Sequence, residues 1–287
     1  MRHLIVIISF FVLIKSSFAQ SRVDKKLQKK IELLIQDFHG DIGVYVKDIK
    51  RNKFVAINSD SVFPTASMVK IPVLIGVMDK IEKGELLYHQ ELIYKDSLLY
   101  EGVDILGSFK NDEKTELGKI MMLMLTMSDN TASLWLQSLA GTGIRINQIL
   151  DSMGFKITKV NSRTPGREEY RSLYGWGQTT PREMAGLLEK IYRYEVISVK
   201  ASNQMMRLLG RNYWDEQALS AIPPTIQVFS KNGAVNASRS EVLLVNAPTP
   251  YVFCISTKNN KDESWTSNNE AWVLIRKISL LLWNHFK

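Results

Sequence analysis

The spacing of apolar residues predicts an N-terminal helix followed by a hairpin of two strands. Apolar side chains recur at every third or fourth position over Val23–Phe38, which is typical of a helix with one buried face. His39-Gly40 ends this pattern. The next two segments, Gly43–Ile49 and Lys53–Ile57, are rich in β-branched and aromatic residues and are separated by a short polar turn. They predict two neighbouring antiparallel strands.

The rest of the chain changes from helical to strand character near residue 220. Longer apolar segments with helical spacing predict four helices, at Met68–Ile81, Leu117–Ser128, Thr131–Ala140 and Pro181–Tyr194. Three further strands and a last helix follow, at Ile226–Lys231, Glu241–Asn246, Tyr251–Thr257 and Ala271–Phe286.

This order of elements predicts an α/β (α+β) fold in one domain, residues 20–287. Strands from both ends of the chain can join into one antiparallel, five-stranded sheet, flanked by the terminal helices. The sheet part would comprise residues 20–65 and 221–287, and residues 66–220 would form an all-helical subdomain. We expect the functional site where these two parts meet.

Residues 1–19 have the pattern of a secretory signal peptide. Arg2 gives a positive start, Leu4–Ile14 is apolar apart from one serine, and Ser17-Phe18-Ala19 fits a small-x-small cleavage site. The alternative is an uncleaved membrane anchor, but 11 residues are few for crossing a bilayer. We therefore expect a periplasmic or secreted protein with no membrane attachment after cleavage.

Composition narrows the classes of partner. The chain is 45% hydrophobic and 23% charged, which is typical of globular proteins and excludes a disordered or collagen-like chain. The net charge of +8 is not gathered into a basic cluster with aromatic residues, so nucleic acid is not an expected partner. One cysteine, Cys254, and four widely separated histidines predict no disulfide, metal site or cofactor. We expect a monomer.

The segment Ser67-Met68-Val69-Lys70 is the first candidate for chemistry. A serine and a lysine three residues apart share one face of a helix. At a helix start the macrodipole disfavours a protonated lysine, so Lys70 could act as general base on the Ser67 hydroxyl. Alone, this spacing is common.

Two further segments supply polar groups of the kind that acyl transfer needs. In Ser128-Asp129-Asn130, between two predicted helices, a hydroxyl can pass a proton to a leaving group and an amide can orient a carbonyl. In Lys231-Asn232-Gly233-Ala234, at the end of a predicted strand, the glycine allows close approach of the backbone to a ligand. The Ala234 N–H could donate to an oxyanion, and Lys231 supplies positive charge.

Together the three segments are much more specific than any one of them. Ser67 precedes Ser128 by 61 residues and Lys231 by 164, and this order and spacing resemble class A β-lactamases and penicillin-binding enzymes. The flanking Thr126–Ala132 and Thr179–Ala185 also look like class A β-lactamases. The resemblance covers essentially all of residues 20–287.

The resemblance implies a role for each matching residue. Ser67 would be the nucleophile, Lys70 its base or proton relay, and Ser128 a proton shuttle. The substrate would be bound by Asn130, Lys231, Asn232, Gly233 and Ala234, with the N–H groups of Ser67 and Ala234 as the oxyanion hole. Arg239 is either a ligand for a substrate carboxylate or a plain surface arginine.

The resemblance fails in the loop before Pro181. The family's deacylating glutamate falls on Thr164 here, and the loop's carboxylates are Glu168 and Glu169. Either Glu168 enters the site from a neighbouring position and activates water, or no carboxylate reaches the site and release of the acyl group is slow.

The predicted function is therefore an exported serine hydrolase of class A β-lactamase type that forms an acyl-enzyme with β-lactams. One alternative is a D,D-peptidase or esterase that acts on cell-wall peptides or small esters. Another is a protein that binds β-lactams with little or no turnover. The expected partner is in each case a small β-lactam or a cell-wall peptide.

Overall fold

The computed structural model describes residues 22–102, 105–210 and 212–287, so the predicted signal peptide lies outside the described residues. The α-helices in this part are α1 Lys25–Ile35, α2 Lys70–Glu82, α3 Leu117–Met122, α4 Asn130–Leu139, α5 Thr142–Ser152, α6 Glu168–Tyr174, α7 Pro181–Tyr192, α8 Val199–Leu209 and α9 Glu270–Phe286. The strands are β1 Arg22–Val23, β2 Asp41–Asp48, β3 Lys53–Ile57, β4 Phe63–Pro64, β5 Glu91–Ile93, β6 Lys114–Glu116, β7 Lys159–Val160, β8 Gly177–Thr179, β9 Val228–Val235, β10 Ser238–Val245 and β11 Tyr251–Lys258.

The main sheet joins strands from both ends of the chain, as predicted, but it has six strands rather than five. Its order is β1-β3-β2-β11-β10-β9, and all neighbours are antiparallel except β1 and β3. The extra strand arises because α1 begins later than the apolar spacing predicts. Asp24 caps α1 by accepting from the Leu27 N–H, which leaves Arg22–Val23 extended and free to pair with β3.

The central part of the chain is mostly helical but not entirely so. Short strands form a β4-β8-β7 sheet and a β5-β6 pair. Each of these strands has two or three residues, which is too few for apolar alternation to be recognised in the sequence.

Two apolar cores lie on opposite faces of the main sheet. On one face, α1 and α9 pack on residues such as Leu243 and Phe253. On the other face, the central helices cover the alternate positions of the same strands, Val242, Leu244 and Cys254. The edge strand β9 therefore lies beside the helical part, where a cleft can open between them. No helix in the described ranges is both long enough and apolar enough to cross a membrane.

Candidate active site

Ser67 lies in a tight turn that leads directly into α2. The turn, Ala66–Val69, is a single 3-10 segment, and Ala66 has φ of 43°, an uncommon value for a residue with a Cβ. Ala66 and Ser67 both line the cleft between the helical part and β9. The strained backbone just before Ser67 fixes the direction from which its hydroxyl enters the cleft.

Lys70 is the hub of the polar groups around Ser67. Its side chain is wholly buried, and its Nζ lies 3.0 Å from Ser67 Oγ, as the three-residue spacing predicts. The same Nζ lies 3.0 Å from Ser128 Oγ and 2.9 Å from Asn130 Oδ1, and it also donates to the Ser128 carbonyl. One amine thus joins both serine hydroxyls and the amide that the sequence analysis singled out.

The backbone at Ser128 is shaped to make two of these contacts at once. The apolar helix α3 continues as a π-helical turn, Leu123–Met127, and Ser128 then adopts a left-handed conformation with φ of 61° and ψ of 30°. This conformation lets both the carbonyl and the hydroxyl of Ser128 reach Lys70. The buried Asp129 holds the segment by accepting from the N–H groups of Ile105, Leu106 and Ala132.

Strand β9 contacts the Ser67 turn at Gly233. A Cβ added there would lie 2.5 Å from the Thr65 carbonyl oxygen and 2.8 Å from the Ser67 nitrogen. The glycine is therefore required by close packing of backbone against backbone. Its neighbour Ala234 lines the cleft together with Ser67, so the two N–H groups expected to form an oxyanion hole belong to adjoining segments.

Lys231 and Asn232 are polar residues of β9 that directly precede Gly233 and Ala234. Lys231 is fully buried, and its Nζ donates to the carbonyl and to Oδ1 of Asn232 at 2.9 and 3.0 Å. Burial lowers the pKa of the Lys231 ammonium to about 7, while the negative charge of Glu241 opposes this shift. β9 also continues to Val235, so the segment predicted as the end of a strand lies within one.

The cleft has two halves that meet at Ser67, Asn130 and Ala234, because these residues line both. One half is a cavity of about 450 Å³ with apolar walls that include Tyr100 and Trp176, whose rings pack edge to face at 5.1 Å. The other half is a cavity of about 640 Å³ lined by three tryptophans and two carboxylates. Either volume is large enough for part of a small-molecule ligand.

Arg239 does not line either half of the cleft. It is fully buried, and its guanidinium donates to backbone carbonyls on the β9–β10 turn and to those of Glu263 and Ser264. Its face also lies over the rings of Trp265 and Trp272. With these partners, Arg239 serves to fasten the hairpin to the start of α9, and neither interpretation of it made from sequence describes that position.

Glu168 lies at the exposed start of α6 and is not brought to the cleft. Its Oε1 accepts from the Gly166 N–H, within its own loop. Glu169 is likewise exposed. Thr164, which takes the position of the family's glutamate, is buried against α5, and its hydroxyl donates to the Ser162 carbonyl. In the described part of the chain, no carboxylate lines the half of the cleft beside Tyr100 and Trp176.

The loop is braced by groups that the sequence analysis did not identify. Arg167 donates to Asn161 Oδ1 and to Gln178 Oε1, and its guanidinium lies 3.8 Å from the Tyr170 ring centre. Ser162 exchanges hydrogen bonds with Gln137 on α4. These contacts hold the loop in a shape in which Glu168 and Glu169 are exposed.

Glu241 is the cleft residue that sequence reasoning missed. It is 1% exposed, lies in the otherwise uncharged half of β10 and lines the larger cavity. Burial raises the pKa of its carboxyl to about 7. The available signal was a charged residue at the start of a predicted strand, Glu241–Asn246, whose next four residues are apolar. Among the described residues, no group of three or more histidine, cysteine or acidic side chains is arranged to hold a metal ion.

The fold places Ser67, Lys70 and Ser128 in contact with one another, in a cleft between a sheet and a helical block. Residues 26–286 match the profile of a family described as "Beta-lactamase enzyme family". The chain belongs to that family, and the resemblance predicted from its motifs is confirmed.

Known relatives support this assignment at low sequence identity. Beta-lactamase VEB-1 from Pseudomonas aeruginosa is 24% identical over 99% of this chain and 97% of its own length. A mutant of PBP-A, solved as an acyl-enzyme complex with penicillin G, superposes with a TM-score of 0.81 at 22% identity, covering 93% of this chain and 98% of that one. A class A β-lactamase from Mycobacterium abscessus gives 0.80 at 20% identity, covering 91% and 99%.

Proposed function

We propose that this chain is a serine hydrolase of class A β-lactamase type. In this proposal β-lactams acylate Ser67, and the acyl group is then released slowly by hydrolysis. The observation that carries the proposal is the buried Lys70, whose Nζ contacts both Ser67 Oγ and Ser128 Oγ at 3.0 Å. A nucleophile in direct contact with a base, and the base in contact with a second hydroxyl, is what acyl transfer with proton relay requires.

Acylation begins with attack of Ser67 Oγ on the lactam carbonyl carbon as its proton moves to Lys70 Nζ. A neutral amine suits this role here. Its two N–H bonds can be donated to the main-chain carbonyl of Ser128 and the side-chain carbonyl of Asn130, which only accept, and its lone pair is then left to take a proton from a serine hydroxyl. The negative charge that develops on the substrate oxygen would be stabilised by the N–H groups of Ser67 and Ala234.

Collapse of the tetrahedral intermediate breaks the C–N bond and leaves an ester on Ser67. The Ser128 hydroxyl gives its proton to the departing nitrogen, and Lys70 returns the proton taken from Ser67 to Ser128. All three atoms lie within one hydrogen-bonded group, so no rearrangement is needed between the two steps.

Release of the acyl group requires an activated water molecule. Glu168 and Glu169 are both exposed in this structure, and the loop contacts made by Arg167 hold them away from Ser67. Lys70 is then the base nearest the ester, and it must activate the water without help from a carboxylate. This favours the slow-release interpretation over direct participation of Glu168.

The same arrangement favours a second candidate function, a D,D-peptidase or esterase that β-lactams acylate as substrate analogues. Such an enzyme needs the Ser67, Lys70 and Ser128 group but no dedicated carboxylate for hydrolysis of a lactam-derived ester. In either case we propose export to the periplasm or outside the cell, with cleavage of residues 1–19.

The test is to mix residues 20–287 with benzylpenicillin and to follow intact protein mass and free penicillin together. We expect a long-lived adduct of one penicillin per chain, absent in Ser67→Ala. Rapid loss of penicillin with little adduct would contradict slow release and indicate an efficient β-lactamase. A chain that neither forms an adduct nor consumes penicillin would contradict the proposed substrate class.

A further inference from the structure

The larger half of the cleft contains a buried carboxylate, Glu241, of which only one oxygen has a hydrogen bond within the described structure. Glu241 Oε2 accepts from the Ala218 N–H at 2.9 Å, but Oε1 has no hydrogen-bond partner in the described structure. Buried carboxylate oxygens are normally paired, because leaving one unpaired costs free energy. An unpaired oxygen that lines a cavity indicates that a ligand supplies the missing donor.

One further polar side chain accompanies Glu241 in the same cavity. Asn232 lies directly opposite Glu241 in the β9–β10 register, so their side chains project from the same face of the sheet. Both residues line the larger cavity.

The walls around these groups are aromatic. Trp214, Trp265 and Trp272 all line the cavity. Two of the rings are held in place, because the Trp214 indole donates to the Met127 carbonyl and the Trp265 indole donates to Asn236 Oδ1. Aromatic faces attract cations, and one face of Trp265 and of Trp272 is already covered by the Arg239 guanidinium. Glu216 adds a second negative charge to the lining.

Among the described residues, the positive side chains near this cavity donate their hydrogen bonds to other partners, although the charge of Lys231 still acts on Glu241 through space. Lys231 donates to Asn232. Arg239 donates to backbone carbonyls, and Arg276 donates to Gln217 Oε1 and to the Ser267 carbonyl. None of these hydrogen bonds reaches Glu241 Oε1, so the described residues do not supply the donor.

We propose that Glu241, with Asn232, forms a subsite that binds an ammonium group carried by the substrate on the leaving-group side of the bond that Ser67 attacks. The side follows from Ser128, which lines this half of the cleft and would protonate the leaving nitrogen. The raised pKa of Glu241 is consistent with this role, because an arriving cation favours the ionised carboxylate. The inference rests on the proposed function and gives it a substrate class.

The test uses two cephalosporins that are identical except at the 3-position, where one has an aminomethyl group and the other an acetamidomethyl group. We expect the amine to acylate the wild-type protein about tenfold faster, the gain typical of a hydrogen bond to a charged group. In Glu241→Gln the two rates should become equal, because the amide keeps the shape and loses the charge. Glu263→Gln, which removes an exposed charge near Arg239, should retain the preference for the amine.

A second measurement separates this inference from the proposed function. Ser67→Ala cannot be acylated, and quenching of tryptophan fluorescence reports non-covalent binding of the same two compounds. Tighter binding of the amine than of the acetamide by about tenfold would support the subsite even if neither compound forms an adduct. Equal affinity in Ser67→Ala, equal acylation of the wild type, or an unchanged preference in Glu241→Gln would each overturn it.

Discussion

The helical side of Ser67 and the loop that precedes α7 differ in how their polar groups are used. On the helical side, Lys70 is wholly buried and contacts two hydroxyls and two carbonyl oxygens. In the loop, Glu168 and Glu169 face solvent, and Arg167 makes the hydrogen bonds that hold the backbone. The titratable group of the helical side, Lys70, contacts Ser67, whereas the titratable groups of the loop, Glu168 and Glu169, face solvent.

This difference indicates that acylation and release depend on separate parts of the fold. The groups proposed for acylation lie on the turn before α2, on α2 itself, at the start of α4 and on β9, and the two apolar cores fix these elements in place. The group that hydrolyses the acyl-enzyme in class A β-lactamases belongs to a loop, and loops can be rebuilt at little cost in stability. Substitutions in the two regions should therefore affect different steps.

The largest effect is expected from Lys70→Met, which keeps most of the side-chain volume and removes the base. Acylation of Ser67 by benzylpenicillin should slow by about 10²–10⁴-fold, the usual contribution of a positioned general base. The adduct is measured by intact mass at fixed times. Lys200→Met, at an exposed position of α8, is the matched control and should acylate at the wild-type rate.

Thermal unfolding must accompany that comparison, because loss of Lys70 leaves the Ser128 carbonyl without this donor. A folded Lys70→Met protein that is acylated within threefold of the wild-type rate would show that another group activates Ser67. Acylation would then not depend on the contacts of Lys70.

A smaller effect is expected from Gly233→Ala, which disturbs the contact of β9 with the Ser67 turn. The added Cβ meets backbone atoms of Thr65 and Ser67, so the strand must move outward. We expect acylation to fall by about 10–100-fold from misplacement of the Ala234 N–H. The free energy of unfolding should fall by about 1–3 kcal/mol from overpacking.

The control for Gly233→Ala is Gly186→Ala within α7. A Cβ there would meet only Phe155 at an ordinary 3.6 Å, and alanine favours a helix. Gly186→Ala should be as stable as the wild type or more so, and should acylate normally. An unchanged acylation rate in Gly233→Ala would show that the close approach of β9 to Ser67 is not needed for catalysis.

The sequence identifies the residues that meet around Lys70 because each of them lies in a short motif with a local geometry. The three-residue spacing of Ser67 and Lys70 is sufficient to place one side chain against the other on a helical turn. The sheet was predictable to within one strand for a similar reason, since β2, β3, β9, β10 and β11 have strong β-type patterns. β1 was missed because pairing of two residues leaves no periodic signal.

Residues whose role depends on distant partners could not be placed from sequence. Arg239 was interpreted from its position after a predicted turn. In the structure its guanidinium donates to the carbonyls of residues 263–264 and lies over two tryptophan rings. Glu241 looked like an ordinary strand residue, and only the fold brings it to a cavity with Trp214 and Trp272. These contacts join segments far apart in the chain, for which local patterns carry no information.

The smallest effect is expected from Glu168→Gln, and it tests the other half of the comparison. Because Glu168 Oε1 accepts only from the Gly166 N–H and the side chain is exposed, an uncharged amide should leave both acylation and release unchanged within about twofold. The half-life of the penicillin adduct measures release, and Glu169→Gln is the matched control. A tenfold longer half-life in Glu168→Gln alone, with normal acylation, would mean that the loop carries Glu168 into the cleft once Ser67 is acylated. The charges of the two regions would then cooperate in one reaction, and the separation of acylation from release would hold only for the unacylated protein.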